Sequence, residues 1–292
     1  MKTVRFLFVG NRRFVLDQMF REGLDIVAAL IVNGTHLERD FQNGLLSGVG
    51  DVRIFGSKPE LLALLRSIPF DVLVSNGCPY ILPVQDLPPA CYVNIHPSCL
   101  PDLRGVDPVI GAVLLGRDAG ATCHIMDAGI DTGAVISQVR IPMTDDLDVS
   151  TLYQLSFIAE RQVFSAALAR NFAPVFAQQE LSGLVYYSRK SEDRVITFTE
   201  PNDTILRKIR AFNNHSQGCE FTVSGRLFKV YSATVLHNPY LVEYLQGFDD
   251  CTVALSYENC IVFRKSGQTL RFENIVSPSN RSLEVGESLT GP

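Results

Sequence analysis

Strand-like and helix-like segments alternate through the first half of the chain, and that alternation limits the fold more than any other feature. Val4 to Val9 reads as a strand, Phe14 to Arg21 as a helix and Ile26 to Val32 as a strand. Pro59 to Ile68 carries apolar residues at helical spacing, and Phe70 to Ser75 is an apolar run that suits a buried strand. Cys91 to Ile95 adds another strand, and Val106 to Leu115 reads as a helix behind a Pro-rich loop. Ala121 to Met126 and Ala134 to Pro142 follow as strands. Thr151 to Arg170 is the longest helical segment, with Leu152, Leu155, Ile158, Ala159 and Val163 along one face and Asp148 or Ser150 as its cap. The interleaving predicts an α/β fold: a Rossmann-like open, mostly parallel sheet whose strand ends form a site.

Beyond about Gly183 the texture changes. One helix is suggested over Asp203 to Phe212, and the remainder is short alternating runs such as Glu220 to Ser224, Leu227 to Val230 and Cys260 to Lys265. The expected division is 1–183 for the large domain and 184–292 for a smaller β-rich C-terminal domain with one helix. A chain of 292 residues, 46% hydrophobic, can bury a full core across both. Its net charge of -5 argues against a general attraction to nucleic acid or an anionic membrane. Met1 to Phe8 lacks the apolar core and cleavage site of a signal peptide, and no later segment is long enough to span a bilayer, so a cytoplasmic protein is expected. The seven cysteines show neither a CxxC pair nor metal-ligand spacing. They read as reduced thiols, mostly small buried hydrophobes, and no metal is expected.

The chemistry concentrates in Asn94-Ile95-His96-Pro97-Ser98-Cys99-Leu100-Pro101 and Gly129-Ile130-Asp131-Thr132-Gly133. Side chains alternate across a strand, so Asn94 and His96 point to one face while Ile95 points to the other. Pro97 lacks the backbone donor the ladder needs next, which stops the strand and leaves its polar end at solvent. An amide donor, an imidazole and a carboxylate in a Gly-flanked turn form a set suited to acyl transfer. Each residue also has a structural reading: Asn94 and His96 as turn formers, Asp131 as the brace of its own turn. His124, inside an apolar strand, reads as a hydrogen-bonded structural histidine. The first strand ends in Gly10-Asn11-Arg12-Arg13, with one glycine where a dinucleotide fold carries G-x-G-x-x-G, and no Walker A sequence occurs. Arg12 and Arg13 there either meet a phosphate or belong to a solvated surface. Arg104 is either a phosphate contact or a solvated loop charge.

The run Asn94 to Pro101 with Arg104-Gly105, then Gly120 to His124, then Gly129 to Gly133, resembles the folate-dependent formyltransferases, over roughly Val4 to Arg170. Asn76 to Pro83, Tyr187-Ser188-Arg189-Lys190 and Ile209 to Gly218 are similar to the branch acting on nucleotide-linked amino sugars. Cys99 and Ala134 depart from the family pattern beside the catalytic residues without removing one. The resemblance implies an N-formyltransferase that uses 10-formyltetrahydrofolate, without a metal, and a dTDP-linked deoxyamino sugar as partner. It also implies a homodimer and no nucleic-acid partner. Alternatives are methionyl-tRNA or another small amine as acceptor, hydrolysis of the formyl donor, or an idle binding protein.

On this resemblance Asn94 and His96 donate to the oxyanion, and Asp131 pairs with His96 and helps remove the amine's proton. A nearby carboxylate is expected to raise the histidine's pKa and favour the imidazolium. Gly77, Cys78, Tyr80, Ile81 and Leu82 would line the folate pocket, joined by Asp127 and Gly129. Asn11, Arg12, Arg13, Arg104 and Lys190 would contact the sugar nucleotide. From Val185 onward twelve Lys plus Arg face twelve Asp plus Glu, so the basic face expected of a tRNA binder is missing.

Overall fold

The apolar runs become the strands of a seven-stranded sheet in a computed structural model, which describes residues 3–46, 50–179, 182–214, 216–278 and 281–290. In chain order these are β1 (Arg5–Gly10), α1 (Arg13–Arg21), β2 (Asp25–Val32), α2 (His36–Gln42), β3 (Val52–Phe55), α3 (Lys58–Ser67), β4 (Val72–Asn76), β5 (Cys91–His96), α4 (Pro108–Leu115), β6 (Ala119–Ile125), β7 (Val135–Ile141) and α5 (Val149–Ala169). The sheet order is β3-β2-β1-β4-β5-β6-β7, parallel from β3 through β5 and antiparallel for β5–β6 and β6–β7. Both faces of the parallel part are covered, which is why its strands read as nearly continuous apolar runs. Phe6 and Phe8 of β1 join the core on one face with Ala29, Ile31, Val72 and Val74. Leu7 and Val9 join the opposite core with Ala28, Leu30 and Leu73. Local chemistry fixes helix starts: Thr35 and Ser57 each accept from a backbone N–H three residues on, and Pro59 sits in the first turn of α3.

The strand order reverses between β1 and β4, so the loops leaving their carboxyl ends diverge and open a crevice. The two backbones approach closely there. A Cβ on Gly10 would lie 1.9 Å from the Asn76 carbonyl oxygen. Gly77 has φ +75°, and a Cβ on it would lie 2.1 Å from Asn11 Oδ1. Both positions demand glycine.

Two compact units divide the chain. One comprises Met1–Pro108, Asp118–Pro142 and Gln154–Ser188; the other comprises Val109–Arg117, Met143–Tyr153 and Arg189–Pro292. The second unit contains α6 (Asn202–Ala211), the hairpin β8 (Cys219–Val223) and β9 (Arg226–Val230), then β10 (Ser232–Leu236), α7 (Pro239–Tyr244), β11 (Val253–Tyr257), β12 (Cys260–Lys265) and β13 (Gln268–Glu273). Its antiparallel sheet runs β10-β13-β12-β11, and Phe198 packs against Phe221, Phe263 and Phe272. The expected open, mostly parallel sheet and β-rich C-terminal part are therefore present. The elements α2, β3, β10, α7, β11 and β13 add to the sequence reading. Among the described residues no helix is long and apolar enough to cross a membrane.

Candidate active site

Strand β5 places Asn94 and His96 on one face at its carboxyl end, while Ile95 enters the core. The antiparallel partner β6 sets Asn94 directly opposite His124 and His96 opposite Thr122. Directly opposed residues share a face. His124 Nε2 accordingly lies 3.3 Å from Asn94 Nδ2, and its Nδ1 lies 2.8 Å from the Ile125 carbonyl oxygen. A carbonyl only accepts, so Nδ1 carries a proton, and Nε2 faces both Asn94 Nδ2 and, at 3.6 Å, Asp131 Oδ1.

The chain after β5 folds back over the site. Ser98 donates to the Asp102 carbonyl, Thr122 donates to the Ser98 carbonyl, and Gln138 donates to the Leu100 carbonyl and to Thr122. Leu103 takes a left-handed backbone at φ 56°, and its carbonyl oxygen lies 3.0 Å from His96 Nε2. Asp131 is also left-handed at φ 55°, in the turn between β6 and β7. Gln178 holds it there by donating to the carbonyls of Asp131 and Gly133 at 2.9 and 2.8 Å. Asp131 Oδ1 accepts from Asn94 Nδ2 and Oδ2 accepts from the Gly105 amide, at 3.3 and 3.2 Å. Oδ2 also lies 3.4 Å from His96 Nδ1. Asn94, His96 and Asp131 thus converge, with His124 as a fourth member.

Burial would raise the Asp131 carboxyl, but the hydrogen bond from His124, both imidazoles and the Gly105 amide hold it down to about 2. His96 moves the other way from the sequence expectation. Burial pushes its imidazole below the ordinary histidine value, and the attraction of Asp131 and the Leu103 carbonyl does not overcome that loss of hydration. The expected upward shift of His96 is corrected to a downward one. The sequence supplies the neighbour but not the burial.

The other expected contacts are scattered. Gly77 and Cys78 follow β4 at the crevice; Cys78 Sγ donates to the Tyr80 carbonyl, and burial raises its thiol. Tyr80 packs against Phe55 and donates to the Gly56 carbonyl. Leu82 belongs to the core, 3% exposed, whereas Ile81 stands at the surface. Asp127 Oδ1 accepts from the Gly129 amide and from Thr132 at 3.0 and 2.6 Å, bracing an exposed turn. Asn11 is exposed, and its backbone N–H donates to the Asn76 backbone carbonyl.

The arginines all have partners within the protein. Arg12 pairs with the buried Glu160 and lies over Phe157, and Arg13 pairs with Asp17 and Asp40 and donates to the Leu45 carbonyl. Arg104 is 1% exposed rather than solvated; it donates to Tyr186 Oη and Gln178 Oε1 and lies beneath the Tyr186 ring. Lys190 belongs to the second unit, where it lines a cavity of ≈ 330 Å³ with Arg189, Ser191, Arg194 and Gln217. His215 of the run Ile209 to Gly218 lies outside the described residues.

Sequence reasoning missed Gln178, Asn76 and Glu160, and read His124 as structural. Only His124 carried a usable signal, since a strand returning beside β5 puts one residue opposite Asn94.

Residues 55–168 match the family described as "Formyl transferase", and residues 189–291 match "Formyl transferase, C-terminal domain". A methionyl-tRNA formyltransferase of Janthinobacterium sp. (strain Marseille) is 32% identical over 249 residues, covering 82% of this chain and 77% of that protein. Among solved structures, WlaRD, a sugar 3N-formyl transferase in the presence of dTDP and 5-N-formyl-THF, superimposes with TM-score 0.69 at 17% identity. The match covers 96% of this chain and all of that one. The N-formyltransferase from Helicobacter canadensis, in complex with folinic acid and dTDP-3-aminofucose, gives TM-score 0.69 at 18% identity, covering 93% and 99%. With both family regions present in order, and with that extent of identity to a curated relative, the chain belongs to the formyl transferase family.

Proposed function

We propose that this formyltransferase moves the formyl group of 10-formyltetrahydrofolate to the amine of a nucleotide-linked, dTDP-type deoxyamino sugar. The observation that carries the reaction is the convergence of Asn94 and the buried His96, at the end of β5, with Asp131. The amine nitrogen attacks the formyl carbon, its C=O becomes an oxyanion, and the bond to folate N10 then breaks. The amine gives up one proton and N10 takes one. Asn94 donates to the oxyanion through Nδ2, so the charge develops against a preorganised amide. The neutral His96 is a base rather than a second donor. A proton arriving on its Nδ1 meets the ionised Asp131, 3.4 Å away, which offsets the cost of a buried cation. The crevice beside Gly77 and Ile81 is the place for the folate, at the strand-order reversal where ligands of open α/β sheets bind.

The sugar-nucleotide acceptor is supported by the balanced charge from Val185 onward and by the dTDP-containing structures of WlaRD and the Helicobacter canadensis enzyme. A cytoplasmic homodimer without a metal belongs to the same reading. Methionyl-tRNA is the second reading, favoured by the identity to the Janthinobacterium relative. The test is mass spectrometry of nucleotide-linked amino sugars and methionyl-tRNA after incubation with protein and donor. A gain of one formyl group on a sugar supports the proposal; formylation of methionyl-tRNA alone replaces it with the second reading.

A further inference from the structure

Behind the converging residues lies a buried charge that formyl transfer itself does not require. Glu160 on α5 is fully buried, and burial pushes its carboxyl upward against the pull of Arg12. Its Oε1 is bonded to Arg12 Nη1 and accepts from Ser156 Oγ at 3.4 Å. Its Oε2 accepts from Asn76 Nδ2 at 3.1 Å. The same Nδ2 donates to the Ile95 carbonyl at 3.2 Å. Turned over, the Asn76 amide would aim its oxygen at a carbonyl and a carboxylate, both acceptors. Glu160 and Ile95 together therefore fix its orientation.

Ile95 is the residue between Asn94 and His96, so its peptide sets the direction in which both project. A buried ion pair contributes little net stability once desolvation is counted. This one is connected, through a single amide, to the backbone that carries the reacting groups.

We propose that Glu160, anchored by Arg12, is a positioning residue for formyl transfer: through Asn76 it fixes the Ile95 peptide and thereby the aim of Asn94 and His96. The inference rests on the reaction proposed above. It also removes Arg12 from the set available to a substrate phosphate.

The experiment compares Glu160→Gln, Glu160→Leu and the double variant Arg12→Met/Glu160→Leu, each checked for folding by thermal unfolding. Glu160→Gln keeps an oxygen for Asn76, and its kcat stays within about fivefold of wild type. Glu160→Leu loses roughly 100-fold in kcat while KM moves by less than about threefold, the scale of a small misplacement of reacting groups. The double variant replaces both charges with apolar side chains, so it folds even where the single change leaves Arg12 stranded, and it shows the same kcat loss. A readout independent of turnover is the NMR signal of the His96 ring in the free protein. It shifts in the Leu variants and stays at its wild-type position in Glu160→Gln.

Wild-type kcat in a folded Leu variant, equal losses in the Gln and Leu variants, or an unmoved His96 signal overturns the proposal. A wild-type protein that formylates no amine, with the His96 shifts as described, overturns the assigned reaction and leaves the positioning role standing.

Discussion

Asp131 Oδ2 lies 3.4 Å from His96 Nδ1, yet the imidazole is harder to protonate than a free histidine, because burial outweighs the carboxylate. On the reaction proposed above, that balance makes His96 the proton acceptor.

Two pH effects follow from that balance. A base must be unprotonated to act, so the acid limb of kcat/KM lies below the ordinary histidine value of 6.5. Folded His96 binds fewer protons than the unfolded chain just below that value. Its contribution to stability is therefore full above pH 6.5 and is lost as the pH falls through the window beneath it. Asp131, held at about 2 against an ordinary 3.8, contributes above 3.8 and loses that contribution as the pH drops toward 2. Rate profiles across pH 5–8 and urea unfolding across pH 2–8 check both. An acid limb above pH 7 that disappears in His96→Ala contradicts a neutral base.

Asn94→Ala removes the amide aimed at the developing oxyanion, and kcat falls roughly 100- to 1000-fold. His124→Ala removes the imidazole facing Asn94 Nδ2 and Asp131 Oδ1 but leaves both groups in place, and the loss is up to about tenfold, the worth of one hydrogen bond. Steady-state kinetics on both variants establish the ranking; a larger loss in His124→Ala reverses the two roles.

Gly77→Val places a β-branched side chain at φ +75°, where its Cβ would meet Asn11 Oδ1. The strain destabilises the fold by about 1–3 kcal/mol before the clash is counted. A midpoint in urea unchanged from wild type contradicts the close approach of the two loops.

The sheet was legible because its strands are buried on both faces and so read as unbroken apolar runs, from Leu7 and Phe8 to Leu73 and Val74. Helix α2 escaped notice because His36–Gln42 holds two apolar residues among charges, and β3 because four residues are too few to show a period. Asn94 and His96 were visible from alternation before a proline. The downward shift of His96 was not, since it turns on burial that only the folded chain supplies. Arg12 and Arg104 looked like surface charges for the same reason: their partners Glu160 and Gln178 come from distant stretches of chain.

The most direct test follows a carbon-13 label from the formyl group of 10-formyltetrahydrofolate, with an amino-sugar nucleotide present, in wild type and in Asp131→Asn. The label is expected in a new amide with wild type, and at a rate at least about 1000-fold lower with Asp131→Asn, which removes the partner of the protonated His96. Release of the label as formate at one rate with and without the amine, or undiminished transfer by Asp131→Asn, contradicts the account.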